Sequence, residues 1–285
     1  MKFDCHVHTR PVSKGYGDIE HFNHKKFMGD LKKAGLDGAA IYSLSPVSFG
    51  EYSLDFRMNA ALEICKASEN LFPFFWINPL DEDALEQVDI AVEKGFDAFK
   101  MIPTFYRIDS DEAMAVIEKI ASVGKPVLFH TGISWDGENS SDHHRPGNYE
   151  ALIHIPKLKF CLAHISWPWT DECIAVYGKF KAAHRSNPDI SCEMFIDVTQ
   201  GTPLVYRDDV FRRMLLSYDM RNNIMFGTDC SIDGRGVTEG YDYNVAKARI
   251  EYDDSLYEKY VKEDVEDFKE HVYSKNLLRF LGKDK

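Results

Sequence analysis

Short apolar runs alternate with amphipathic stretches along the chain, and this alternation constrains the fold more than any other feature. There are eight such runs, and one begins about every 30 residues, the length of one strand and the helix that follows it. They are Phe3–Val7, Gly38–Leu44, Leu71–Ile77, Ala98–Ile102, Pro126–His130, Lys159–His164, Ser191–Ile196 and Asn223–Phe226. Phe, Ile, Val and Leu dominate these runs, which is typical of strands buried on both faces.

The segments between the runs predict helices. Three of them carry apolar residues at helical spacing and stop at a glycine, namely Gly35, Gly95 or Gly124. Repeated strand–helix units predict a parallel sheet, and eight units in 285 residues predict one (β/α)8 barrel domain over residues 1–285. The alternative is a doubly wound open sheet, which the count of eight and the lack of an early GxGxxG motif disfavour.

The segment Tyr241–Leu281 lies beyond the eighth unit and is strongly charged. Its apolar residues Val261, Val265, Phe268 and Val272 recur at intervals of three or four. This spacing predicts a helical C-terminal extension packed on the outside of the barrel.

The charge balance excludes several classes of protein. Lys and Arg number 34 and Asp and Glu number 46, so the formal net charge is −12. Nucleic-acid binders and electrostatic membrane anchors need basic surfaces instead. No uncharged apolar run is long enough to span a membrane, and the first residues lack the apolar core of a secretory signal. Six scattered cysteines without a CxxC motif indicate reduced thiols, so we expect a cytoplasmic protein acting on a small molecule.

Two histidines on the first strand are the first sign of chemistry. His6 and His8 are two residues apart, so on a strand they point to one face with Cα atoms roughly 6.5–7 Å apart. Two imidazoles at this spacing can bind one cation. A pair this close also arises by chance, so the motif alone is weak evidence for a metal site.

Three later strands end in residues of the same chemical type. His130 ends the fifth run, His164 ends the sixth, and Asp229 follows the eighth. Barrel enzymes build their active sites at the C-terminal ends of the strands. Singly, Asp229 can be a helix N-cap and each histidine a satisfied, half-buried residue. Together they predict one cluster, because polar groups at the mouth of an apolar barrel are costly unless a shared ligand pairs them.

The chain resembles the amidohydrolase superfamily in four ordered motifs, FDCHVHT, PVLFHTG, FCLAHIS and NIMFGTD. The best match is the amidohydrolase-2 branch, which contains aminocarboxymuconate-semialdehyde decarboxylase-like proteins. The closing segment Ser274–Leu281 is similar to the Asn-containing final helix of that branch. The resemblance extends over nearly the whole chain and implies a barrel with a metal at its mouth.

The resemblance also implies roles for individual residues. His6, His8, His130 and Asp229 would bind one divalent metal, usually zinc, and His164 would be the catalytic histidine beside it. In binuclear members of the superfamily, the residue corresponding to His164 binds a second metal. Those members also need a bridging carboxylated lysine or a glutamate on the fourth strand.

Lys100 lies on the predicted fourth strand. The branch often has a histidine two residues after this lysine, whereas this chain has Ile102. Lys100 can be a carboxylated bridge, a cation that binds substrate, or the partner of Asp229 or Asp4. We favour an unmodified, substrate-binding lysine near a single metal.

The expected ligands define the expected chemistry. Three histidines and one carboxylate suit Zn²⁺, with Mn²⁺ or Fe²⁺ as alternatives. Bound zinc lowers the pKa of its water toward about 7 and supplies hydroxide at neutral pH. Asp229 can take a proton from that water and return it to a leaving group, and His164 can polarise a carbonyl or carry the proton. Asp4 can orient a ligand histidine or can simply be a polar residue in the barrel.

Loops after the strands are expected to select the substrate. The longest, from Gly132 to Tyr149, predicts a lid, and Arg145 within it can bind a substrate carboxylate or form only an exposed salt bridge. Competing arginines also follow strands: Arg10, Arg107 and Arg235. We interpret His143 and His144 as surface or lid residues, because neighbours on a loop rarely face one metal. Trp167 can line the substrate pocket or merely cover the rim of the barrel.

Three functions remain open. The first is a hydrolase in which metal-bound hydroxide attacks an amide, lactone or ester. The second is a metal-dependent non-oxidative decarboxylase of a small aromatic or unsaturated acid, whose pocket would hold the substrate carboxylate near the metal. The third is a metal-storing protein without turnover, which the presence of both Asp229 and His164 disfavours. We favour the hydrolase with one zinc ion, and a homodimer is compatible with this fold.

Overall fold

The computed structural model describes residues 1–10, 22–46, 52–187, 192–233 and 242–284. Within these ranges one parallel sheet contains all the strands. The strands are β1 (Phe3–Arg10), β2 (Gly38–Tyr42), β3 (Leu71–Trp76), β4 (Ala98–Met101), β5 (Val127–Phe129), β6 (Lys159–Leu162), β7 (Glu193–Asp197), β8 (Ile224–Met225) and β9 (Cys230–Asp233).

Helices connect the strands and follow the last one. They are α1 (His24–Ala34), α2 (Leu54–Cys65), α3 (Ala84–Glu93), α4 (Asp111–Ser122), α5 (Ser140–His143), α6 (Thr170–Ser186), α7 (Leu204–Ser217), α8 (Tyr243–Tyr260), α9 (Val265–Glu270) and α10 (Asn276–Leu281). Two 3-10 segments, Pro146–His154 and Ala163–Ser166, and one π-helical turn, His271–Lys275, complete the described helical structure. None of the helices in the described ranges is long and apolar enough to cross a membrane.

The eighth unit closes the sheet into a barrel. Its two short strands, β8 and β9, are separated by residues 226–229, and β9 pairs in parallel with β1. The amide of Cys5 in β1 also donates to the carbonyl of Phe226, just after β8, at 2.9 Å. The strand order therefore runs from β8 through β7 back to β1 and β9. The predicted (β/α)8 barrel is confirmed.

A register shift in β1 aims the paired histidines at the mouth. The pairing of β1 with β2 changes register between Asp4 and Val7. Phe3 and Cys5 belong to the apolar cluster inside the barrel, whereas Val7 packs in the outer cluster between sheet and helices. Such an irregularity lets an odd-numbered residue before it and an even-numbered residue after it face the same side of the strand. Inward-facing residues of β1 thus change from apolar to histidine along one strand.

The C-terminal extension is helical as predicted, but it is not one helix on the outer wall. The segment around Val261 ends α8, and α10 lies at the opposite end of the barrel from the histidines. There the Phe280 ring contacts Phe74 and Phe195, with centroids 6.5 and 5.2 Å apart. Arg279 pairs with Glu193, the first residue of β7. Helix α10 therefore covers the N-terminal end of the barrel with apolar side chains, whereas Phe268 and Val272 pack in the outer cluster between sheet and helices, as predicted.

Candidate metal centre

The two histidines of β1 meet at the C-terminal mouth of the barrel. The Nε2 atoms of His6 and His8 lie 3.2 Å apart. The His6 side chain is buried, and that of His8 is half-buried. The predicted convergence of the two rings is therefore present in the structure.

Asp229 completes a compact group of donor atoms. Its Oδ1 lies 3.3 Å from Nε2 of His6 and 3.3 Å from Nε2 of His8. Asp229 occupies the break between β8 and β9 with a φ of 58°, in the left-handed region. That conformation is uncommon for residues other than glycine, and Asn and Asp tolerate it best. An aspartate therefore suits both the backbone of this break and the group of donor atoms.

Asp197, at the end of β7, orients the ring of His6. Its Oδ2 lies 2.8 Å from Nδ1 of His6, and both side chains are buried. A carboxylate only accepts hydrogen bonds, so the proton of a neutral His6 lies on Nδ1 and Nε2 presents a lone pair to the mouth. The sequence interpretation missed Asp197, because the predicted seventh strand stopped one residue earlier, at Ile196. A polar residue ending an apolar run, as on strands five, six and eight, was the signal that could have identified it.

His164 joins this group from the end of β6. Its backbone amide donates to Oδ1 of Asp197 at 2.7 Å. His164, Ile165 and Ser166 all have positive φ values, so the chain turns sharply here. Donor atoms of His6, His164 and Asp229 all lie within 4.8 Å of one another. His164 is thus near enough to act beside a bound ion or to bind one.

Two glycines make room for these histidines. A Cβ at Gly201 would lie 2.5 Å from Cβ and Cγ of His164, and one at Gly227 would lie 2.8 Å from Cβ of His6. Such contacts are shorter than packed side chains adopt, so a larger residue would displace the rings. The backbone after β7 and after β8 therefore approaches the site as closely as glycine allows.

His130, at the end of β5, lies on the far side of His164. The two ring centroids are 5.0 Å apart, and the Tyr149 hydroxyl donates to the His130 carbonyl at 3.1 Å. Nε2 of His130 is buried and has no hydrogen-bond partner among the described residues. A buried ring nitrogen without a partner is expected to have a ligand, because leaving it unpaired is costly.

His144 is not at the surface, one of the two positions predicted for it. The side chain is 1% exposed and packs edge-on against His130, with ring centroids 4.8 Å apart. The loop is closed by the Gly132 amide, which donates to the His144 carbonyl at 3.2 Å. His143 is half-buried, and its Nδ1 lies 3.0 Å from the carbonyl of Tyr106.

Lys100 is fully buried beneath the histidines. Its Nζ lies 3.5 Å from Nε2 of His6 and 5.1 Å from the centroid of the Tyr42 ring. Burial lowers the pKa of this amine to about 8. Among the described residues no carboxylate forms an ion pair with Lys100, so neither predicted partner, Asp229 or Asp4, neutralises it directly.

Asp4 has a structural role rather than the predicted orienting one. Its carboxylate accepts from the amides of His6 and Thr228 and from the Thr228 hydroxyl, and no ring nitrogen is among its partners. These contacts hold the start of β1 against the end of β8. The orienting role predicted for Asp4 belongs to Asp197, because the register shift in β1 turns Asp4 away from the mouth.

The residues predicted to bind substrate lie at different depths. Arg145 is exposed and pairs with Glu172 at 2.6 Å, with its guanidinium over the ring of Trp169. Trp167 is half-buried and stacks on Tyr206. Of the competing arginines, Arg10 is exposed, Arg107 pairs with Asp109, and Arg235 lies outside the described residues.

A cavity of about 270 Å³ opens beside the histidines. Its walls include Trp76, Ile102 and Tyr106, and the Trp76 ring packs against His8 with centroids 5.6 Å apart. A second cavity of about 530 Å³ is lined by residues that include Trp135, Gly201 and Asp229. A small molecule therefore has room beside Asp229 and beside the tryptophan that contacts His8.

The electrostatics of the group fit a divalent cation. Burial lowers the pKa of both His6 and His164 to about 4, so both rings are neutral near pH 7 and can offer a lone pair. Burial opposes ionisation of Asp229, but His6 and His8 outweigh it and lower its pKa. A lone pair on His6 therefore faces a carboxylate oxygen at 3.3 Å, an arrangement that a bound cation stabilises.

Comparisons with known proteins give the family and the fold of the chain. The family model described as Amidohydrolase matches residues 3–283. A comparison with curated proteins gave no match. The chain is similar in fold to 2,6-dihydroxybenzoate decarboxylase, at 12% identity and a TM-score of 0.63, covering 100% of each chain.

Two further solved structures share the fold. One is a dihydroorotase from Campylobacter jejuni, at 16% identity and a TM-score of 0.61, covering 99% of this chain and 83% of that one. The other is an amidohydrolase 2 from Bifidobacterium longum subsp. infantis, at 14% identity and a TM-score of 0.59, covering 99% of each chain. The resemblance seen in the four motifs is confirmed, and the chain belongs to the amidohydrolase-2 branch of the amidohydrolase family.

Proposed function

We propose that the protein is a metal-dependent hydrolase of a small molecule, with one divalent cation, zinc by preference, held by His6, His8, His130 and Asp229. The observation that carries this proposal is the convergence of Nε2 of His6, Nε2 of His8 and Oδ1 of Asp229, which are 3.2–3.3 Å apart. The unpartnered Nε2 of His130 supports its place as the further ligand.

The reaction divides among the residues of the mouth. A divalent cation bound there lowers the pKa of a water molecule and provides a nucleophile near neutral pH. Asp229, which is ionised beside the two histidines, would accept the proton of that water and pass it to the leaving group. His164 has a ring nitrogen within 4.8 Å of the Asp229 carboxylate and would accept and carry a proton during the reaction.

Substrate contacts are proposed for Lys100, Arg145 and Trp167. Lys100 lies deepest, next to His6, and we propose that it stays unmodified beside a single metal. Trp167 lines the rim that follows β6. Arg145 would have to exchange Glu172 for a substrate carboxylate, which is feasible because the pair is exposed.

Metal analysis of purified protein tests the proposed site. We expect about one zinc per chain in the wild type. We expect much less in His6→Ala, because the three remaining ligands bind zinc more weakly than the full set of four. His154→Ala is the matched control, since His154 is exposed and lies outside the site. Full zinc content in His6→Ala, or none in the wild type after growth with zinc, would contradict the proposal.

Turnover tests the hydrolase. Lactones and esters should release protons, and amides should release an amine, in a zinc-dependent way. Asp229→Asn should reduce the rate roughly 10²–10⁴-fold through loss of the proton acceptor. A protein that binds zinc but turns over no substrate of any class would support the metal-storing alternative.

A non-oxidative decarboxylase is the second candidate, because a buried lysine lies 3.5 Å from a proposed metal ligand. Lys100 can hold a substrate carboxylate close to the metal, as decarboxylation requires. Release of CO₂ from aromatic 2-hydroxy acids, without proton release from lactones, would decide for this candidate. We expect the reverse pattern.

We also propose that the protein is cytoplasmic and can form a homodimer. All six cysteines are free in the structure, which fits a reducing compartment. Thiol titration of protein purified without reductant, together with its sedimentation coefficient, tests both points.

A further inference from the structure

A buried hydroxyl links His164 to the carboxylate that orients His6. Oγ1 of Thr199 lies 2.6 Å from Nδ1 of His164 and 2.5 Å from Oδ1 of Asp197. The Thr199 side chain is fully buried. Thr199 lies two residues after Asp197, on the backbone that leaves β7, and neither residue was predicted to belong to the site.

The direction of these hydrogen bonds follows from the number of protons. A threonine hydroxyl carries one hydrogen, and the ionised carboxylate of Asp197 can only accept it. The Thr199 oxygen is then left as an acceptor toward His164. Nδ1 of His164 must therefore donate, and its second ring nitrogen, Nε2, keeps its lone pair.

We propose that Thr199 is a positioning residue that fixes the tautomer of His164, with the proton on Nδ1 and the lone pair of Nε2 free for the reaction or for a metal. One carboxylate then sets the protons of two histidines: Asp197 acts directly on His6 through Oδ2 and through Thr199 on His164. The use of this tautomer rests on the proposed function, whereas its existence does not.

The backbone of Thr199 is itself held in place. Arg207 of α7 is fully buried and donates to the carbonyls of Val198 and Thr199, at 2.6 and 3.4 Å. Arg207 in turn forms a bidentate pair with Asp253 of α8. The hydroxyl of Thr199 is therefore presented to His164 by a rigid turn, as a positioning role requires.

Nitrogen NMR of histidine-labelled, metal-free protein near pH 7.5 tests the inference, because protonated and unprotonated ring nitrogens have different shifts. A His164→Gln sample assigns the signals. We expect His164 to be the Nδ1–H tautomer in the wild type and in Thr199→Ser. In Thr199→Val, the ratio of Nδ1–H to Nε2–H should fall by about tenfold, as expected for loss of one buried hydrogen bond.

Thr202→Val is the matched control. Thr202 is also buried, but its hydroxyl donates to the backbone carbonyl of His164 at 3.2 Å, so its removal should leave the tautomer unchanged. His6 serves as an internal control in Thr199→Val, since Asp197 holds its ring directly.

Two results would overturn the inference: an Nε2–H tautomer of His164 in the wild type, or an unchanged tautomer ratio in folded Thr199→Val. If Thr199→Val does not fold, the wild type and Thr199→Ser still decide the question. Because the measurement uses neither metal nor substrate, absence of zinc binding would defeat the proposed function and leave this inference standing.

Discussion

Two buried carboxylates on opposite sides of the histidines have almost the same hydrogen bonds. Asp4, at the start of β1, accepts from the His6 amide and from the amide and hydroxyl of Thr228. Asp197, at the end of β7, accepts from the His164 amide and from the amide and hydroxyl of Thr199. The difference is one further contact, since Asp197 also accepts from the ring of His6.

The pKa values of Asp4 and Asp197 shift in opposite directions, and the contact with the His6 ring accompanies this difference. Burial raises the pKa of Asp4 to about 7, and its three hydrogen bonds only partly offset the burial. Burial also opposes ionisation of Asp197, but the nearby rings of His6 and His164 outweigh it and lower its pKa. Three backbone and hydroxyl donors are therefore enough to hold a strand end, whereas the carboxylate with the lowered pKa also contacts the ring of His6.

The largest expected effect is on stability and concerns the buried pair of Arg207 and Asp253, which holds the turn after β7. Replacing Arg207 with Leu should reduce the free energy of unfolding by about 3–5 kcal/mol, because Asp253 is left buried and unpaired. Urea unfolding of the metal-free protein measures this change. The double variant Arg207→Leu/Asp253→Leu should recover part of the loss. A single variant as stable as the wild type would show that the turn after β7 does not need its buried ion pair.

The next effect separates the two carboxylates directly. Asp197→Asn should weaken zinc binding about 10–100-fold. The NH2 group of the asparagine would face either the His6 ring or the Thr199 hydroxyl, and both already donate a hydrogen bond to residue 197. Competition with a zinc chelator measures the affinity. Loss of zinc affinity is expected here even if the variant folds normally.

Asp4→Asn is the matched control for that prediction. Its carboxylate contacts the backbone of His6 rather than the ring, so zinc affinity should change by no more than about twofold. Equal weakening in both variants would show that the extra ring contact of Asp197 is not what distinguishes the two sides.

The sequence was sufficient for the barrel because its signal repeats. Each of the eight predicted apolar runs contains one of the strands β1 to β8 or most of it. Gly35 ends α1 in the expected left-handed conformation. The polar ends of strands one, six and eight also predicted side chains that lie close together, whereas His130 of strand five contacts the ring of His164. These features depend on local periodicity and on the common direction of parallel strands.

The orienting residues could not be predicted in the same way. Asp197 and Thr199 act through contacts with residues 35 and 191 positions away along the chain, so no local spacing announces them. Strict alternation along β1 predicts Asp4 on the same face as His6 and His8, which allows an orienting role, but the register shift breaks that alternation. His144 was placed at the surface because neighbouring loop histidines were treated alike, although only one of them turns inward.

The smallest expected effect extends the comparison to a charged pair at the exposed rim. Arg145→Ala should change the free energy of unfolding by at most about 1 kcal/mol, since its pair with Glu172 is exposed to solvent. Glu172→Ala should have a similarly small effect on stability, so stability alone does not separate the two. If Arg145 binds substrate as proposed, KM should rise in Arg145→Ala and not in Glu172→Ala, which frees the guanidinium. Equal KM values in both variants would leave Arg145 as half of a surface ion pair, and substrate selection would then fall to the buried Lys100.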